Sequence, residues 1–295
     1  MNTPAILTED LTKFYGRARG IEGLNLRVDA GEFFGFIGPN GAGKSTTIRL
    51  LLGLIRPTSG SAKVLDLGVG RDQKEILRRV GYLPSDVAFY SRMKVRDVLR
   101  LSANLRGRDC SARAEELCER LQLDRDRRAD ALSLGNKKKV GIVCALQHDP
   151  ELLIMDEPTS GLDPLVQHEF FDILNERNRA GATIFLSSHV LSEVQRHCTR
   201  AAVIREGAVI ACDTMEALGR SSARRVTLRG GSIPAGLPGV RDLSESDGTV
   251  SFLYSGDMNE LVRCLAATHV DDLTIAEPDL EEAFLHYYEK GGDRA

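Results

Sequence analysis

Apolar residues along this chain follow two alternating rhythms. Short uncharged runs, Phe33-Phe34-Gly35-Phe36-Ile37, Leu152-Leu153-Ile154-Met155 and Thr183-Ile184-Phe185-Leu186-Ser187, read as strands buried on both faces. Between them apolar residues recur at helical spacing: Ile48, Leu50, Leu51 and Leu52 in a helix from Thr46 that Gly53 ends, Val95, Val98 and Leu99, then Ala114, Leu117, Cys118 and Leu121. Val166, Phe170, Ile173 and Leu174 mark another helix, opened by Asp163-Pro164 and closed by Gly181. Residues 5–11 and 22–29 read as strands, the second alternating Leu24, Leu26 and Val28, with Lys13-Phe14-Tyr15-Gly16 as a turn between them. Strands alternating with helices predict an α/β fold built on a mostly parallel sheet covered on both faces. Past residue 220 the pattern changes. Val226 and Leu228, then Val250, Phe252 and Tyr254, alternate as in solvent-facing strands; two helices follow, with Leu273-Thr274-Ile275 as a strand between them. Asp257 with Glu260 and Asp279 with Glu282 have the spacing of capping boxes. The expected division is a domain over residues 1–220, with helical sequence over about 86–147, and a small α/β domain over 221–295.

Charge sharpens that division. The net charge is −3, but residues 221–295 carry 7 basic and 13 acidic side chains, so the last domain is −6 and the first is +3. Nothing in this balance indicates a nucleic-acid partner. Six cysteines are scattered without a C-x-x-C pair, which argues against a zinc site or a disulfide framework and for reduced thiols in a cytosol. Met1-Asn2-Thr3-Pro4 lacks the character of a signal peptide, and no apolar run approaches the roughly 18 residues of a membrane span, so the chain is expected not to cross a bilayer.

The candidate chemistry centres on Gly38-Pro39-Asn40-Gly41-Ala42-Gly43-Lys44-Ser45, which satisfies G-x-x-x-x-G-K-[ST] between an apolar strand and a helix. Glycines let the backbone curl so that successive N–H groups meet phosphate oxygens, and the helix start beyond, from Thr46, adds its own. Lys44 would reach the β- and γ-phosphates and Ser45 would ligate Mg²⁺. The strand before Glu157 ends in Asp156, placed to hold the same ion, while Glu157 can accept a proton from an attacking water. Ser133 is a good N-cap to an apolar helix, and with Gly135 it could form a second anion site; by itself it is equally an ordinary capped helix with a solvated run, Lys137-Lys138-Lys139.

Together these residues resemble the ATP-binding-cassette (ABC) ATPases, over about residues 4–218. Leu132-Ser133-Leu134-Gly135-Asn136 is similar to that family's Leu-Ser-Gly-Gly-Gln signature, and Ser160-Gly161-Leu162-Asp163 to its D-loop. Tyr15, 23 residues before Gly38, is similar to the aromatic that stacks on adenine. His189 resembles the switch histidine that contacts the γ-phosphate, and Gly81-Tyr82-Leu83-Pro84-Ser85 the Q-loop. The resemblance implies a P-loop NTPase core with an antiparallel β subdomain and a helical subdomain. It also implies ATP and Mg²⁺ as ligands, Glu157, His189 and Lys44 as the catalytic set, and a head-to-tail homodimer, or a pair of such ATPases, in which Ser133, Gly135 and Asp163 complete the partner's site.

Two departures stand out. Ser85 occupies the Q-loop glutamine position, where its shorter side chain, or Asp86, would have to serve Mg²⁺ and water; Leu134 and Asn136 replace a glycine and the terminal glutamine of the signature. Both features, with the tail Glu277-Pro278-Asp279-Leu280-Glu281-Glu282-Ala283-Phe284-Leu285-His286-Tyr287-Tyr288, resemble bacterial exporters of the bacitracin- and daunorubicin-resistance type. The expected function is an ATP-hydrolysing exporter subunit, peripheral on the cytoplasmic face of the membrane beneath separate permease subunits. The alternatives are an ATP-dependent dimerisation switch with negligible hydrolysis and a soluble, non-transport ABC ATPase.

Overall fold

Alternation of buried and exposed residues opens the chain as an antiparallel hairpin, β1 (Pro4–Tyr15) and β2 (Ala18–Asp29), with Ile6, Leu11, Ile21, Leu24, Leu26 and Val28 in the core. The computed structural model describes residues 3–219, 224–230, 237–246, 248–266, 268 and 270–276. The expected turn at 13–16 is in fact strand: Lys13, Phe14 and Tyr15 pair with Ile21, Arg19 and Ala18, and the reversal shrinks to Gly16 and Arg17. Gly16 takes φ +62°, which lets the chain turn in two residues, and the aromatic residues then keep the extended backbone they favour.

β3 (Phe33–Ile37) is buried at every residue and leads into α1 (Lys44–Leu51). This helix begins two residues earlier than expected, at Lys44 itself, and Gly53 follows its end at φ +59°. β4 (Ser59–Val64) and β5 (Leu67–Gly68) join the hairpin in an antiparallel sheet of order β2-β1-β4-β5. Then come α2 (Gln73–Arg79) and β6 (Val80–Leu83), and a helical segment of α3 (Val95–Arg106), α4 (Ser111–Arg120), a 3₁₀ turn at Ala129–Ala131 and α5 (Leu134–Leu146). β7 (Leu152–Asp156), α6 (Pro164–Arg179), β8 (Thr183–Ser188), α7 (Leu191–His197), β9 (Arg200–Arg205) and β10 (Ala208–Thr214) complete the first unit.

The central sheet runs β10-β9-β3-β8-β7-β6, parallel throughout except for β10. β7 and β8, like β3, are buried at every residue, as strands covered on both faces must be. The α/β architecture with its antiparallel and helical subdomains is therefore as expected. Phe185 lies at the centre, its ring 6.0 Å from Phe34 and 5.2 Å from Phe36.

Residues 1–214 and 215–295 separate into two compact units. In the second, α8 (Met215–Gly219), β11 (Arg224–Arg229), β12 (Val240–Ser246), β13 (Thr249–Tyr254), α9 (Met258–Ala266) and β14 (Asp272–Ala276) surround an antiparallel sheet of order β12-β13-β11-β14. Val226 faces Phe252 and Leu228 faces Val250, and this apolar face packs with Leu261 and Leu265 of α9. Asp257 caps α9 by accepting the Asn259 N–H at 2.9 Å. The Asp279–Glu282 pair and the tail motif over 277–288 lie outside the described residues. Among the described residues no helix is long and apolar enough to cross a membrane.

One contact joins the helical segment to the sheet with little tolerance. A Cβ on Gly81 of β6 would stand 2.2 Å from the Ala145 carbonyl oxygen of α5, and one on Gly141 of α5 would stand 2.8 Å from Leu83 Cδ1. Backbone cannot yield as a side-chain tip can. Gly81→Ala is therefore expected to lower stability by about 2–3 kcal/mol, at the upper end of overpacking costs, measured as a reduced urea midpoint with unchanged slope.

Candidate active site

Parallel pairing aligns the carboxyl ends of β3, β8 and β7. Ile37 sits opposite Ser188, and Asp156 opposite Ser187, so the loop after β3 and the carboxylates after β7 emerge side by side. Ligands in open α/β sheets bind at such an edge. The loop itself is shaped by glycines. Gly41 and Gly43 hold φ of +82° and +110°, and a Cβ on Gly43 would stand 2.9 Å from the Gly20 carbonyl oxygen. No side chain caps the start of α1, so the free N–H groups of its first turn and its positive dipole end remain available to an anion.

Lys44, the first helical residue, is buried. Its ammonium donates to the carbonyl oxygens of Gly38 at 2.6 Å and Pro39 at 3.2 Å. Ser45 donates its hydroxyl to Asp156 Oδ2 at 2.9 Å, while Ser187 donates to Asp156 Oδ1 at 3.0 Å. Both oxygens of this buried carboxylate are thus fixed from two sides. Glu157 leaves the strand in the left-handed region, φ +50°, a costly conformation for a residue with a Cβ. Its N–H, donated to the Ser187 carbonyl at 3.0 Å, helps hold it there. Its carboxylate divides its attention: Oε2 meets His189 Nδ1, and Oε1 lies 3.3 Å from Lys44 Nζ. That ion pair lacks hydrogen-bond alignment, so Oε1 is buried without a donor.

A cavity of about 330 Å³ opens over this cluster. Tyr15, Pro39, Asn40, Gly41, Gly43, Lys44, Ser45, Thr46, Ser85 and Glu157 line it, all from the expected set. Arg19 and Gly20 line it as well and carried no sequence signal beyond their nearness to Tyr15. Gly38, Ala42, Asp156 and His189 do not face it directly; they support it through the bonds just given and through the turn of the loop. Neither do Ser133, Gly135 and Asp163 line this cavity. Ser133 caps α5 by accepting the Asn136 N–H at 3.3 Å, and Asp163 caps α6 by accepting the Val166 N–H at 3.0 Å. These two caps are near each other: a Cβ on Gly135 would stand 2.7 Å from the Gly161 carbonyl oxygen.

Three side chains of consequence were not marked in advance. Ser187 orients Asp156, as above. Glu193 accepts from Ser188 Oγ at 3.1 Å, and its burial raises its pKa above the usual glutamate value. Lys138 corrects the solvated lysine run: it is 2% exposed, and its ammonium donates to the carbonyls of Pro84 at 3.1 Å and Ser85 at 2.8 Å. The helical phase held the signal, since Lys138 shares a face with buried Gly141 and Ile142. Among the described residues no cluster of three His, Cys, Asp or Glu side chains forms a metal cage. Ser45 and Asp156 instead offer an adjacent hydroxyl and carboxylate, the hard oxygen donors that suit Mg²⁺ shared with a phosphate ligand.

The ABC transporter family model matches residues 21–160. A bacitracin transport ATP-binding protein of Bacillus licheniformis is 41% identical over 211 residues, covering 70% of this chain and 68% of that protein. The chain belongs to the ABC transporter family. A linearmycin resistance ATP-binding protein of Bacillus subtilis is 32% identical over 301 residues, spanning 94% of this chain and 96% of its own length. Among solved structures, an ATP-binding subunit of an ABC transporter superposes with a TM-score of 0.69 at 33% identity, over 74% of this chain and 92% of that one. The cavity at the carboxyl edge of the sheet accordingly lies in the ATP-binding cassette of a transporter ATPase.

Proposed function

We propose that this cassette binds Mg-ATP in the cavity above Lys44, hydrolyses it, and drives an exporter as a dimer beneath separate membrane subunits, on the cytoplasmic face. The observation that carries the hydrolytic reading is Glu157 Oε1, a buried carboxylate oxygen with no donor, at the wall of the cavity and beside Lys44. It is placed to accept the proton of an attacking water. His189 on Oε2 holds the carboxylate in that orientation and stands ready to meet the γ-phosphate. The Gly38–Gly43 backbone, Lys44 and the N–H groups of Ser45 and Thr46 take the β- and γ-phosphates, and Tyr15 stacks on adenine. Ser45 and Asp156 would hold Mg²⁺, and Ser85 lines the same cavity; the ion would neutralise phosphate charge. An ATP switch without turnover would have no use for a carboxylate held on one oxygen by His189 with the other left open beside Lys44.

Ser133, Gly135 and Asp163 stand outside their own cavity, which supports the head-to-tail dimer: they cap the nucleotide held by a second copy. An exposed apolar groove supports a place for the membrane subunits. A groove of about 510 Å³ beside the segment after β6 is lined by Phe89, Tyr90, Met93, Leu101 and Leu105, with Tyr90 75% and Leu105 74% exposed. We assign it to a cytoplasmic segment of the permease. Among the described residues Arg106, in its wall, donates only to Ser102, and burial lowers its pKa below the usual arginine value. An apolar occupant would strand that guanidinium, so the docking segment should carry a carboxylate. The likeness to proteins named for bacitracin transport and linearmycin resistance supports export of a drug or antibiotic, chosen by the membrane subunits.

Three outcomes follow. Glu157→Gln should cut steady-state phosphate release by about 100-fold or more, the usual worth of a general base, while ATP binding persists; undiminished turnover removes Glu157 from that role. Tyr15→Ala should weaken ATP affinity by about tenfold, within the range of base stacking, with Tyr15→Phe close to wild type in a fluorescent-nucleotide titration. Leu105→Glu should leave the ATPase of the isolated subunit intact but abolish co-purification with its co-expressed membrane subunits; retained co-purification would clear the groove of this role.

A further inference from the structure

Lys138 stands where a lysine is expensive. Its ammonium is almost fully enclosed, and among the described residues it forms no ion pair at contact distance; only the Pro84 and Ser85 carbonyls receive it. Burial pulls its pKa below the ordinary lysine value, and the carboxylates of Asp156, Asp86 and Glu157 pull the other way. An unbranched apolar side chain would fill the same space without that cost. What the ammonium adds is direction. Meeting two carbonyls on consecutive residues ties α5 to the chain after β6 at this point.

Each end of this link reaches one half of a composite site. Ser85, whose carbonyl Lys138 holds, lines the nucleotide cavity of its own copy. Ser133 caps α5 five residues before Lys138, about 7.5 Å along the helix axis. Between them the backbones pack closely. Gly81 approaches the Ala145 carbonyl, and Gly141 approaches Leu83 and Val87, so closely that neither position has room for a side chain, and α5 and β6 are in direct contact.

We propose that Lys138 is a positioning residue that couples a copy's own nucleotide cavity to the serine-capped helix it offers to its mate. Filling one cavity then sets the capping helix over the other. This inference rests on the head-to-tail dimer proposed above, and the test separates the two. In a Glu157→Gln parent, ATP should produce dimers in sedimentation velocity. Adding Lys138→Met should raise the ATP concentration needed for dimerisation by about tenfold, a usual size for coupling between sites, while affinity of the monomer for a fluorescent ATP analogue stays unchanged. Lys138→Arg, which keeps cationic donors at that place, should restore dimerisation. In the chain with Glu157 intact, Lys138→Met should reduce the Hill coefficient of hydrolysis from about 2 toward about 1. Dimerisation and Hill coefficient unchanged in Lys138→Met overturn the coupling and leave the dimer standing. Nucleotide binding lost in Lys138→Met and not restored by Lys138→Arg also overturns it, because the role is then merely structural. A Glu157→Gln parent that stays monomeric brings down the dimer and this link with it.

Discussion

The register of three parallel strands is the constraint on which the chemistry of this protein depends. β3 delivers the phosphate loop, β7 delivers Asp156, and β8 between them delivers Ser187, whose hydroxyl and carbonyl fix Asp156 and the Glu157 N–H. A slip of β7 by one residue would carry Asp156 about 3.3 Å along the edge and turn its carboxylate to the opposite face of the sheet. Ser45 and Ser187 would then lose their shared acceptor together. The uninterrupted burial of all three strands protects against that slip, since every residue on both faces has a packed place to lose.

Glu157 and Lys44 show how the site is held in readiness. A buried ammonium needs an anion or good acceptors, and here it has two carbonyls and the edge of a carboxylate. A triphosphate would bring stronger and better-aligned acceptors to the same ammonium. Glu157 would be released from Lys44 but not from His189, and its left-handed backbone, tied to Ser187, leaves it little freedom to swing away. On the proposed function, the ion pair is a placeholder for phosphate. It keeps the cation satisfied and the carboxylate aimed until substrate separates them.

Much of this was legible in the residues alone, for identifiable reasons. The phosphate loop and Asp156-Glu157 announce themselves because glycines at fixed spacing and carboxylates closing an apolar strand have few other uses. Boundaries were less legible. The helix after the loop starts at Lys44 and not Thr46, because backbone N–H groups at an uncapped helix start leave no mark in side-chain pattern. β1 runs through Tyr15 because a two-residue reversal at Gly16 lets the aromatic residues pair, which local turn propensity obscured. Lys138 was hidden by its neighbours: a triple lysine looks solvated, yet only helical phase decides which of the three points inward. Glu193 was hidden for a different reason, since its burial depends on α7 folding back beside Ser188, a tertiary fact.

In the dimer proposed above, the placement of the serine cap would leave one copy of this chain chemically incomplete. Ser133 is exposed, and the surface around it is not that of an ordinary polar helix end. Leu134, in the position where the usual signature has glycine, is 64% exposed and lies over Gly161, where a Cβ would be 3.2 Å from its Cδ2. Leu165, just beyond the Asp163 cap, is 84% exposed. Leu134 and Leu165 thus put exposed apolar surface beside the Ser133 and Asp163 caps, which suits the contact between copies proposed above. Substituting leucine for the signature glycine therefore need not weaken the closure between copies. In the proposed dimer it would move part of the closing energy from backbone contact with phosphate to burial of apolar surface, which would persist when the γ-phosphate leaves. On that reading, opening after hydrolysis would draw on repulsion around Glu157 and the departing phosphate, and the proposed Lys138 link is one route by which it would reach the capping helix.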